Sequence, residues 1–593
     1  MPDLKDQFDI ALKQLNQSLQ KKNQSIRLFA FLRVLTFIAI ILTARQLYLL
    51  PAPVLYFGLF LLVVLFLYLV RKSVNLGDDK KFLSQLIYIY THERAVLNGQ
   101  PSQFDHGEDF TNLCAYAADL DIYGEGSLFQ LLNRTTTSHG RERLAHMLAD
   151  PFMHAGDILS MQEALRVLTP QHDACFRITA TGMVDRETAG NLHALQDWMS
   201  LPLKISAQSF TRIFRYIYPV LGIASLLFYL SSGNYIPMLI AVVIAWLVTG
   251  FYKKYIDAQH RLLEKKQAIL QQYARILKEF MKIDSGNSAK LTTYQDMAAA
   301  AHLAIFRLSR LTALFDQRNN LLVNFFMNSF LLYDIQCTLA LEDWKKQHAP
   351  EFEGWVETVS NIELLTSLSA YARNNPAYVY PELSAEPAHL QVTQMGHPLI
   401  AASSMITNDL HPGKDEKVLL ITGSNMAGKT TFLRSAGVNL VLARSGAPVC
   451  ATRFSFSPMQ ILSSIRINDS LQEHTSYFMA ELIRLKQISE GLQRGIPALI
   501  LVDEILRGTN SDDKTFGSGE FIISMLQYPC IALFATHDLT LSVLEDQYPG
   551  VITNYSFESV IENNELSFDY ILRKGVAKNK NASFLMKKMG IIR

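Results

Sequence analysis

Two long stretches of almost uninterrupted apolar residues lie in the first half of the chain. One covers residues 28–71 and the other residues 216–252, and a short polar turn divides each of them into two halves. Each half approaches the roughly 17–25 residues that a helix needs to cross a bilayer. The pattern predicts two hydrophobic helical hairpins inserted in a membrane, with two hairpins buried in a soluble core as the alternative.

Basic residues flank both hairpins on their outer sides: Lys21 and Lys22, Arg71 and Lys72, Arg212 and Arg215, Lys253 and Lys254. In membrane proteins, an excess of Lys and Arg next to the spanning segments marks the cytoplasmic side. The flanks therefore predict a protein of the inner (cytoplasmic) membrane. Both termini and the large domains are expected in the cytoplasm.

The segments around the hairpins have a helical pattern. Residues 1–27 carry apolar positions at helical spacing, which predicts a short cytoplasmic helix that precedes the first hairpin. Residues 82–212 and 253–385 are predicted to be mostly helical, and the second of them contains one helical run at 260–281 and another at 292–332. Their apolar positions are typical of a core in which helices pack on helices.

The pattern of apolar and polar residues changes after a proline-containing linker, and residues 390–593 alternate short β-type runs with helices. This alternation is typical of a parallel sheet in an α/β domain. The predicted fold class is therefore a multidomain α plus α/β protein. It combines a helical core that carries two hydrophobic hairpins with a carboxyl-terminal α/β domain.

The amino-acid composition agrees with a chain that contains membrane segments, and it does not point to a particular binding partner. Charged residues make up 18 % of the 593 residues, against about 25 % in ordinary soluble proteins. The net charge of +1 gives no whole-protein field that would attract nucleic acid. The five cysteines are far apart in the sequence, which indicates reduced thiols and argues against a disulfide scaffold or a zinc site.

A phosphate-binding motif follows the β-type run at 417–422. The residues from Gly423 to Thr430 fit the pattern GxxxxGK[ST] between a strand and a helix. In such a loop the backbone N–H groups surround phosphates, the lysine reaches the β- and γ-phosphates, and the hydroxyl ligates Mg²⁺. The predicted ATP-binding residues are Gly423, Ser424, Asn425, Met426, Ala427, Gly428, Lys429, Thr430 and Thr431.

Two further strands end in candidate catalytic groups. The apolar run at 498–502 leads into Asp503 and Glu504. Asp503 is predicted to join Thr430 in binding Mg²⁺, and Glu504 to polarise the attacking water. His537 follows the next apolar run, at the sheet edge where ligands bind in such folds. It is predicted to sense the γ-phosphate or the attacking water.

Together these elements resemble the ATPase domain of the MutS mismatch-repair family, a relative of the ABC ATPases. The matching stretches are ITGSNMAGKTTFLRSAG, SYFMAEL, LILVDEILRGTNSDD and FATHDL. The resemblance implies a homodimer in which Ser476 contacts the γ-phosphate bound by the partner chain. It also implies that Asn425 contacts phosphate within its own chain and that the turn 507–510 faces the partner. Weaker similarity at 126–140 and 361–370 implies the family's helical core and lever.

The sequence also departs from the family's DNA-mismatch readers. No Phe-x-Glu, the family's mismatch wedge, occurs in the 593 residues. The second hydrophobic hairpin stands where the family inserts its DNA-clamping module. His474 replaces the glycine expected two residues before Ser476, and Ala427 stands where a glycine is common. Base stacking on a mismatch is therefore not supported by the sequence.

The motifs, the family resemblance and the departures from it leave two functions open. The first is a dimeric, membrane-anchored MutS-type ATPase that binds DNA in mismatch repair or recombination, with ATP driving the motion of the lever. The alternative is a membrane-anchored, ABC-like mechanochemical ATPase that moves its hairpins and does not act on mismatched DNA. A scaffold that binds ATP without turnover is less compatible with the intact pair Asp503 and Glu504.

Overall fold

A computed structural model describes residues 4–49, 53–184, 191–424, 426–466, 477–506, 511–562 and 565–577. Within these ranges, thirteen helices form the amino-terminal part of the protein, and two β-sheets with four helices form the carboxyl-terminal part. This arrangement agrees with the α plus α/β class that the sequence predicts.

The first two helices, α1 (Leu4–Leu49) and α2 (Pro53–Leu97), form a long hairpin. Only 6 % of the most apolar window of each helix is buried, so the hydrophobic half projects away from the protein body. The polar halves pack together, and Lys22 and Asp79 form an ion pair of 2.5 Å. Residues 1–27 are therefore not a separate helix, because no glycine or proline interrupts the chain between Leu4 and Leu49.

The helical body follows this hairpin. Its helices are α3 (Leu128–Leu132), α4 (Ser138–Ala149), α5 (Ala155–Leu168), α6 (His172–Val184), α7 (Asn191–Ser200), α8 (Ser209–Ser232), α9 (Ile236–Leu263), α10 (Gln267–Phe280), α11 (Ala289–Asp316), α12 (Leu321–Leu331) and α13 (Tyr333–Asn374). The 42-residue helix α13 runs through the core of this body, and most of its last 20 residues are buried. Helices α8 and α9 form the second hairpin, which Gly233 closes in a left-handed conformation (φ 70°).

Both predicted helical runs in the second half of the body are interrupted. The run 260–281 breaks between α9 and α10, where Lys265 has a left-handed φ of 61°. The run 292–332 breaks after Asp316, and the Asn320 side chain accepts hydrogen bonds at the start of α12. Periodicity alone does not reveal such breaks, because the apolar positions continue across them.

The smaller sheet has the strand order β1–β5–β2–β3. Its strands are β1 (Glu382–Leu383), β2 (Leu390–Met395), β3 (Asn408–Leu410) and β5 (Arg453–Phe456). The larger sheet has the order β10–β9–β4–β8–β7–β6. Its strands are β4 (Val418–Gly423), β6 (Gln460–Ser464), β7 (Ala498–Asp503), β8 (Cys530–Thr536), β9 (Ile552–Glu562) and β10 (Glu565–Lys574).

Five strands of the larger sheet are parallel, and among the described strands of this sheet only β10 is antiparallel to its neighbour. The strands β4, β7 and β8 are buried along their whole length. Because Thr422 pairs with Thr536, and Asp503 with Ala535, their carboxyl ends meet at one edge of the sheet. The helices of this part are α14 (Lys429–Arg444), α15 (Tyr477–Gln493), α16 (Ser511–Met525) and α17 (Leu544–Gln547).

Five helices in the described part of the chain are long and apolar enough to cross a membrane: Leu4–Tyr48, Pro53–Leu97, Ser209–Ser232, Ile236–Leu263 and Ala289–Asn319. The first four contain the two hairpins that the sequence predicts. The fifth is the least apolar, and 39 % of its most apolar window is buried. It packs in the helical body, as the sequence suggests for that region.

Candidate active site

The loop between β4 and α14 curves closely around its own backbone. Gly423 and Gly428 have φ values of 151° and 105°, which an L side chain rarely adopts. A Cβ added to Gly423 would lie 2.7 Å from the carbonyl oxygen of Phe557. Glycine is therefore required for the tight passage from strand to helix, as the motif predicts.

The Lys429 side chain lies under this loop and is only 5 % exposed. Its ammonium donates hydrogen bonds to the carbonyl oxygens of Gly423 at 2.7 Å and Ser424 at 3.0 Å. The same Nζ lies 3.5 Å from Nδ1 of His537. The structure thus places the predicted phosphate-binding lysine beside the histidine from the end of β8.

Thr430 and Asp503 meet across the site. The Thr430 hydroxyl donates a hydrogen bond of 2.5 Å to Oδ2 of Asp503. Within the described residues, no group of three or more His, Cys, Asp or Glu side chains could hold a metal ion by itself. Mg²⁺ commonly takes only one or two protein oxygens and completes its shell with phosphates and water. This pair of oxygens therefore fits a shared Mg²⁺ site.

Glu504 and His537 form the second pair of the site, in which the His537 Nε2 faces a carboxylate oxygen of Glu504. Glu504 is in the left-handed region with φ 47°, and its backbone N–H donates to the carbonyl oxygen of Ala535 at 3.0 Å. A glutamate rarely adopts this conformation, which costs about 1–3 kcal/mol and is concentrated at functional sites. The turn directs Glu504 towards the end of β8.

Burial and the neighbouring Lys429 ammonium lower the pKa of His537 below its usual range. The two ring nitrogens face different partners: Nδ1 lies 3.5 Å from the Lys429 ammonium, and Nε2 faces the Glu504 carboxylate. His537 therefore connects the lysine and the glutamate, which are supplied by two different strand ends.

The other predicted ATP-binding residues have varied settings. Met426 is largely exposed at the loop tip, Ala427 is buried, and Thr431 is exposed in the first turn of α14. Asn425, His474, Ser476 and the turn 507–510 lie outside the described residues. The predictions for them rest on the sequence alone: on the phosphate-binding motif for Asn425, and on the family resemblance for the others.

Tyr570 belongs to the site but does not emerge from the sequence pattern. Its ring lies above the phosphate-binding loop, 3.1 Å from the position that a Cβ on Gly428 would occupy. Asn408 holds this residue through hydrogen bonds to the carbonyl oxygen of Tyr570 at 2.9 Å and from the N–H of Leu572 at 2.7 Å. Tyr570 itself has a left-handed φ of 55°. The half-exposed ring is thus fixed beside the loop.

A second group missed by sequence reasoning connects the site to the helical body. The Asp121 carboxylate pairs with Arg434 on α14 at 2.8 Å and with Arg466 after β6 at 2.6 Å. The neighbouring, fully buried Asp119 accepts hydrogen bonds from the Ser463 hydroxyl at 2.6 Å and from the Arg466 N–H at 2.8 Å. The helix that begins at Lys429 is therefore tied to the helical body one turn after Thr430.

Comparisons with known proteins agree with the position of this site. Residues 419–589 match the family model MutS domain V. The match begins in β4 and contains every residue that is predicted to bind phosphate or metal. It covers the larger sheet and leaves the helical body and both hairpins outside.

Three similar proteins illustrate the relationship. DNA mismatch repair protein MSH3 of Debaryomyces hansenii is 31 % identical over 40 % of this chain and 25 % of its own length. MutS protein homolog 4 of Homo sapiens is 31 % identical over 42 % of this chain and 27 % of its own length. DNA mismatch repair protein MutS of Clostridium botulinum is 31 % identical over 44 % of this chain and 28 % of its own length. The chain thus spans about a quarter of the length of these relatives.

Proposed function

We propose that this chain, whose carboxyl-terminal part belongs to the MutS family, is a membrane-anchored ATPase that acts on DNA as a homodimer. The observation that carries the proposal is the meeting of Lys429, Thr430, Asp503, Glu504 and His537 at one edge of the larger sheet. These groups come from three strand ends, and each has the chemistry that ATP hydrolysis requires.

In this proposal, the backbone N–H groups of residues 423–428 bind the phosphates, and Lys429 exchanges its two carbonyl contacts for phosphate oxygens. Glu504 accepts the proton of the attacking water, and the Nε2–H of His537 holds the Glu504 carboxylate in position. Thr430 and Asp503 would hold Mg²⁺, which would neutralise phosphate charge when bound. Protein residues therefore supply the general base and the positioning groups.

The proposed dimer completes the site from the partner chain. The family resemblance assigns Ser476 to the γ-phosphate bound by the partner, and it assigns the turn 507–510 to the dimer interface. A mixed dimer tests this arrangement directly. When one chain carries Ser476→Ala and the other carries Lys429→Ala, the proposal expects the site with the intact lysine to stay active, because its Ser476 comes from the Lys429→Ala chain, and the mixed dimer should keep about half of the wild-type turnover. If Ser476 acted within its own chain, each site would carry one defect and turnover would be lost.

Helix α14 also provides a route by which the nucleotide state reaches the helical body. Asp121 contacts arginines on α14 and beyond β6 at the same time. In Asp121→Asn, we expect kcat to fall about fivefold, the size of a modest coupling between sites. The thermal unfolding temperature should change little, because the Asp121 side chain is 37 % exposed and ion pairs at such exposed positions contribute little to stability.

The matched control for this variant is Asp109→Asn, which removes a surface ion pair of 2.9 Å with Arg141 inside the helical body. It should keep the wild-type kcat. Steady-state ATPase assays and thermal unfolding measurements on both variants make the comparison. Wild-type turnover in Asp121→Asn would contradict a role of this aspartate in coupling.

Tyr570 is proposed to stack against the base of the nucleotide, because its ring is an exposed aromatic group held beside the phosphate-binding loop. In Tyr570→Ala, we expect the KM for ATP to rise about tenfold, in line with about 1–1.5 kcal/mol for an aromatic stacking contact, while kcat is retained. Tyr570→Phe should keep the wild-type KM. A fall in kcat without a change in KM would assign Tyr570 to another role.

DNA is the proposed substrate because the similar proteins are named for DNA mismatch repair. Without the family's wedge, binding is proposed to depend on duplex shape and backbone contacts, whose affinity falls as salt increases. The two hydrophobic hairpins are proposed to anchor the protein in the inner membrane. The ATPase domain then lies on the cytoplasmic side.

The ATPase rate of the purified full chain tests this proposal. It should be measured in nanodiscs with homoduplex, mismatched or branched DNA at two salt concentrations, with Glu504→Gln as the background control. We expect one of these DNAs to change the rate, and the change to weaken at the higher salt concentration. A rate that is indifferent to all three DNAs would remove DNA from the proposed function.

One observation favours the second candidate, a mechanochemical ATPase that acts on its membrane segments. Helix α2 runs unbroken from the first hairpin into the body, where the fully buried Glu93 pairs with Arg134 and, at 3.0 Å, with Arg373. Burial alone would raise the pKa of Glu93, but the two guanidinium groups hold it well below the usual range. A motion of the body would therefore reach the membrane. An ATPase rate that changes with lipid composition and ignores DNA would favour this function.

A further inference from the structure

A short apolar helix adjoins the second hairpin. Helix α12 lies within a segment that has no charged residue between Arg318 and Asp334. Its outward face is apolar and open, with Leu321 84 %, Leu322 71 %, Phe326 56 % and Phe325 50 % exposed. The sequence predicts one helical run over 292–332, so the separation of α12 from α11 is visible only in the structure.

The inward face of α12 is the polar one. Asn328 and Ser329 are buried, and Oδ1 of Asn328 accepts a hydrogen bond of 2.8 Å from the N–H of Asp334. A helix on the surface of a soluble protein has the opposite arrangement, with its apolar stripe turned towards the core. The outward face of α12 is thus suited to an apolar environment.

Close contacts fix α12 against the second hairpin. The indole N–H of Trp246 on α9 donates to the Ser329 hydroxyl at 3.0 Å. The Tyr218 hydroxyl on α8 lies 2.6 Å from the carbonyl oxygen of Ser329. A Cβ added to Gly222 would lie 2.5 Å from the carbonyl oxygen of Phe330. Helix α12 therefore lies beside parts of α8 and α9 that belong to the predicted membrane hairpin.

The segment leaves and rejoins the helical body at one ion cluster. The Arg318 guanidinium pairs with Asp257 at 2.9 Å and with Asp334 at 3.0 Å. Leu332 has a left-handed φ of 55° and turns the chain back. Arg318 and Asp334 bracket α12, and Asp257 follows the apolar part of α9. These three charged residues therefore lie together at the polar end of the segment, where the chain enters α12 and where it returns to the helical body.

The length of α12 limits how deeply it can reach. Its 11 residues extend about 16 Å at 1.5 Å per residue, which is about half of the roughly 30 Å hydrocarbon core of a bilayer. The helix cannot span a membrane. It can occupy the leaflet on the side of the ion cluster, and its backbone hydrogen bonds are then satisfied internally or by hairpin side chains.

We propose that α12 is a re-entrant half-helix that enters the cytoplasmic leaflet beside α8 and α9, with its outward face in contact with acyl chains. The inference rests on the proposed membrane anchoring of the second hairpin. Lipid is favoured over a second copy of the chain because the apolar face continues without interruption onto the hairpin. At the junction the ring centroids of Phe325 and Trp246 are 6.1 Å apart, and both side chains are partly exposed.

Depth-dependent fluorescence quenching tests the proposal on the full chain in phosphatidylcholine–phosphatidylglycerol nanodiscs. Single substitutions Leu322→Cys and Phe326→Cys would carry an environment-sensitive fluorophore. Val220→Cys reports on α8, and Gln347→Cys reports on an exposed position of α13. Four of the five native cysteines are buried and Cys114 is partly buried, so wild-type protein labelled in parallel gives the background.

The two α12 labels should lose roughly half of their fluorescence to lipids that carry a doxyl quencher within the same leaflet, about 15 Å deep, and should resist aqueous iodide. The label at Gln347 should respond only to iodide. If the label at Val220 is quenched by lipid while both α12 labels respond to iodide, the insertion of α12 is refuted and the membrane anchoring of the second hairpin is retained. If the α12 labels instead quench each other between chains, a second copy covers the face. If Val220 itself responds to iodide, the membrane anchoring fails.

Discussion

Glu504→Gln is expected to abolish ATP turnover while leaving nucleotide binding intact. Loss of a general base lowers kcat by about 100-fold or more, and glutamine keeps the size and hydrogen-bonding reach of the side chain in its contact with His537. Because hydrolysis stops after binding, the ATP-bound dimer should accumulate. Single-turnover assays measure the chemical step, and size-exclusion chromatography with light scattering measures the dimer.

The matched control is Glu520→Gln, an exposed carboxylate on α16 in the same part of the chain. It should hydrolyse ATP at the wild-type rate and should not trap a dimer. If Glu504→Gln turned over ATP at the wild-type rate, the assignment of Glu504 as general base would be wrong. In that case another residue near the ends of β7 and β8 would have to activate water.

Lys429→Ala is expected to weaken ATP binding by roughly a hundredfold, because a hydrogen bond to a charged group contributes about 1.5–3 kcal/mol. The buried ammonium already lies within hydrogen-bond distance of two loop carbonyls, at 2.7 and 3.0 Å, so it needs little movement to reach phosphates in the loop. Titration with a fluorescent ATP analogue gives the Kd. Turnover should fall below detection at ATP concentrations that saturate the wild type.

Lys414→Ala is the control for this experiment. Lys414 is an exposed lysine in the loop before β4, at the end of the strand opposite to the site. Its removal changes the net charge equally and should leave the Kd unchanged. Thermal unfolding of both variants shows whether Lys429→Ala also disturbs the loop. Equal Kd values for wild type and a folded Lys429→Ala would exclude this lysine from phosphate binding.

The fate of the helical predictions shows where sequence reasoning reaches its limit. The sequence predicts that the first hairpin ends at residue 71 and that the helical core begins at residue 82, yet α2 runs without interruption from Pro53 to Leu97. Conversely, the sequence predicts one helical run over 292–332, and in the structure this run breaks after Asp316, before α12. Helical periodicity reports which face is apolar, but it does not distinguish a core from a bilayer.

The phosphate-binding loop was predictable because its geometry depends on neighbouring residues. Glycines at 423 and 428 permit the φ values that the turn requires, and the strand before it and the helix after it follow in the same short segment. Asp503 and His537 were predictable for a related reason. Parallel strands bring their carboxyl ends to one edge of a sheet, so a polar residue after each strand belongs near the site.

Local sequence patterns encode the strand–loop–helix, the acidic strand end and the two apolar hairpins, so these features are predictable from the sequence. The position of Tyr570, the contact between Asp121 and Arg434 and the inverted polarity of α12 follow instead from packing between distant segments. Asp121 and Arg434 are 313 positions apart in the chain. No local rule specifies such a pairing, because it depends on how every intervening helix packs.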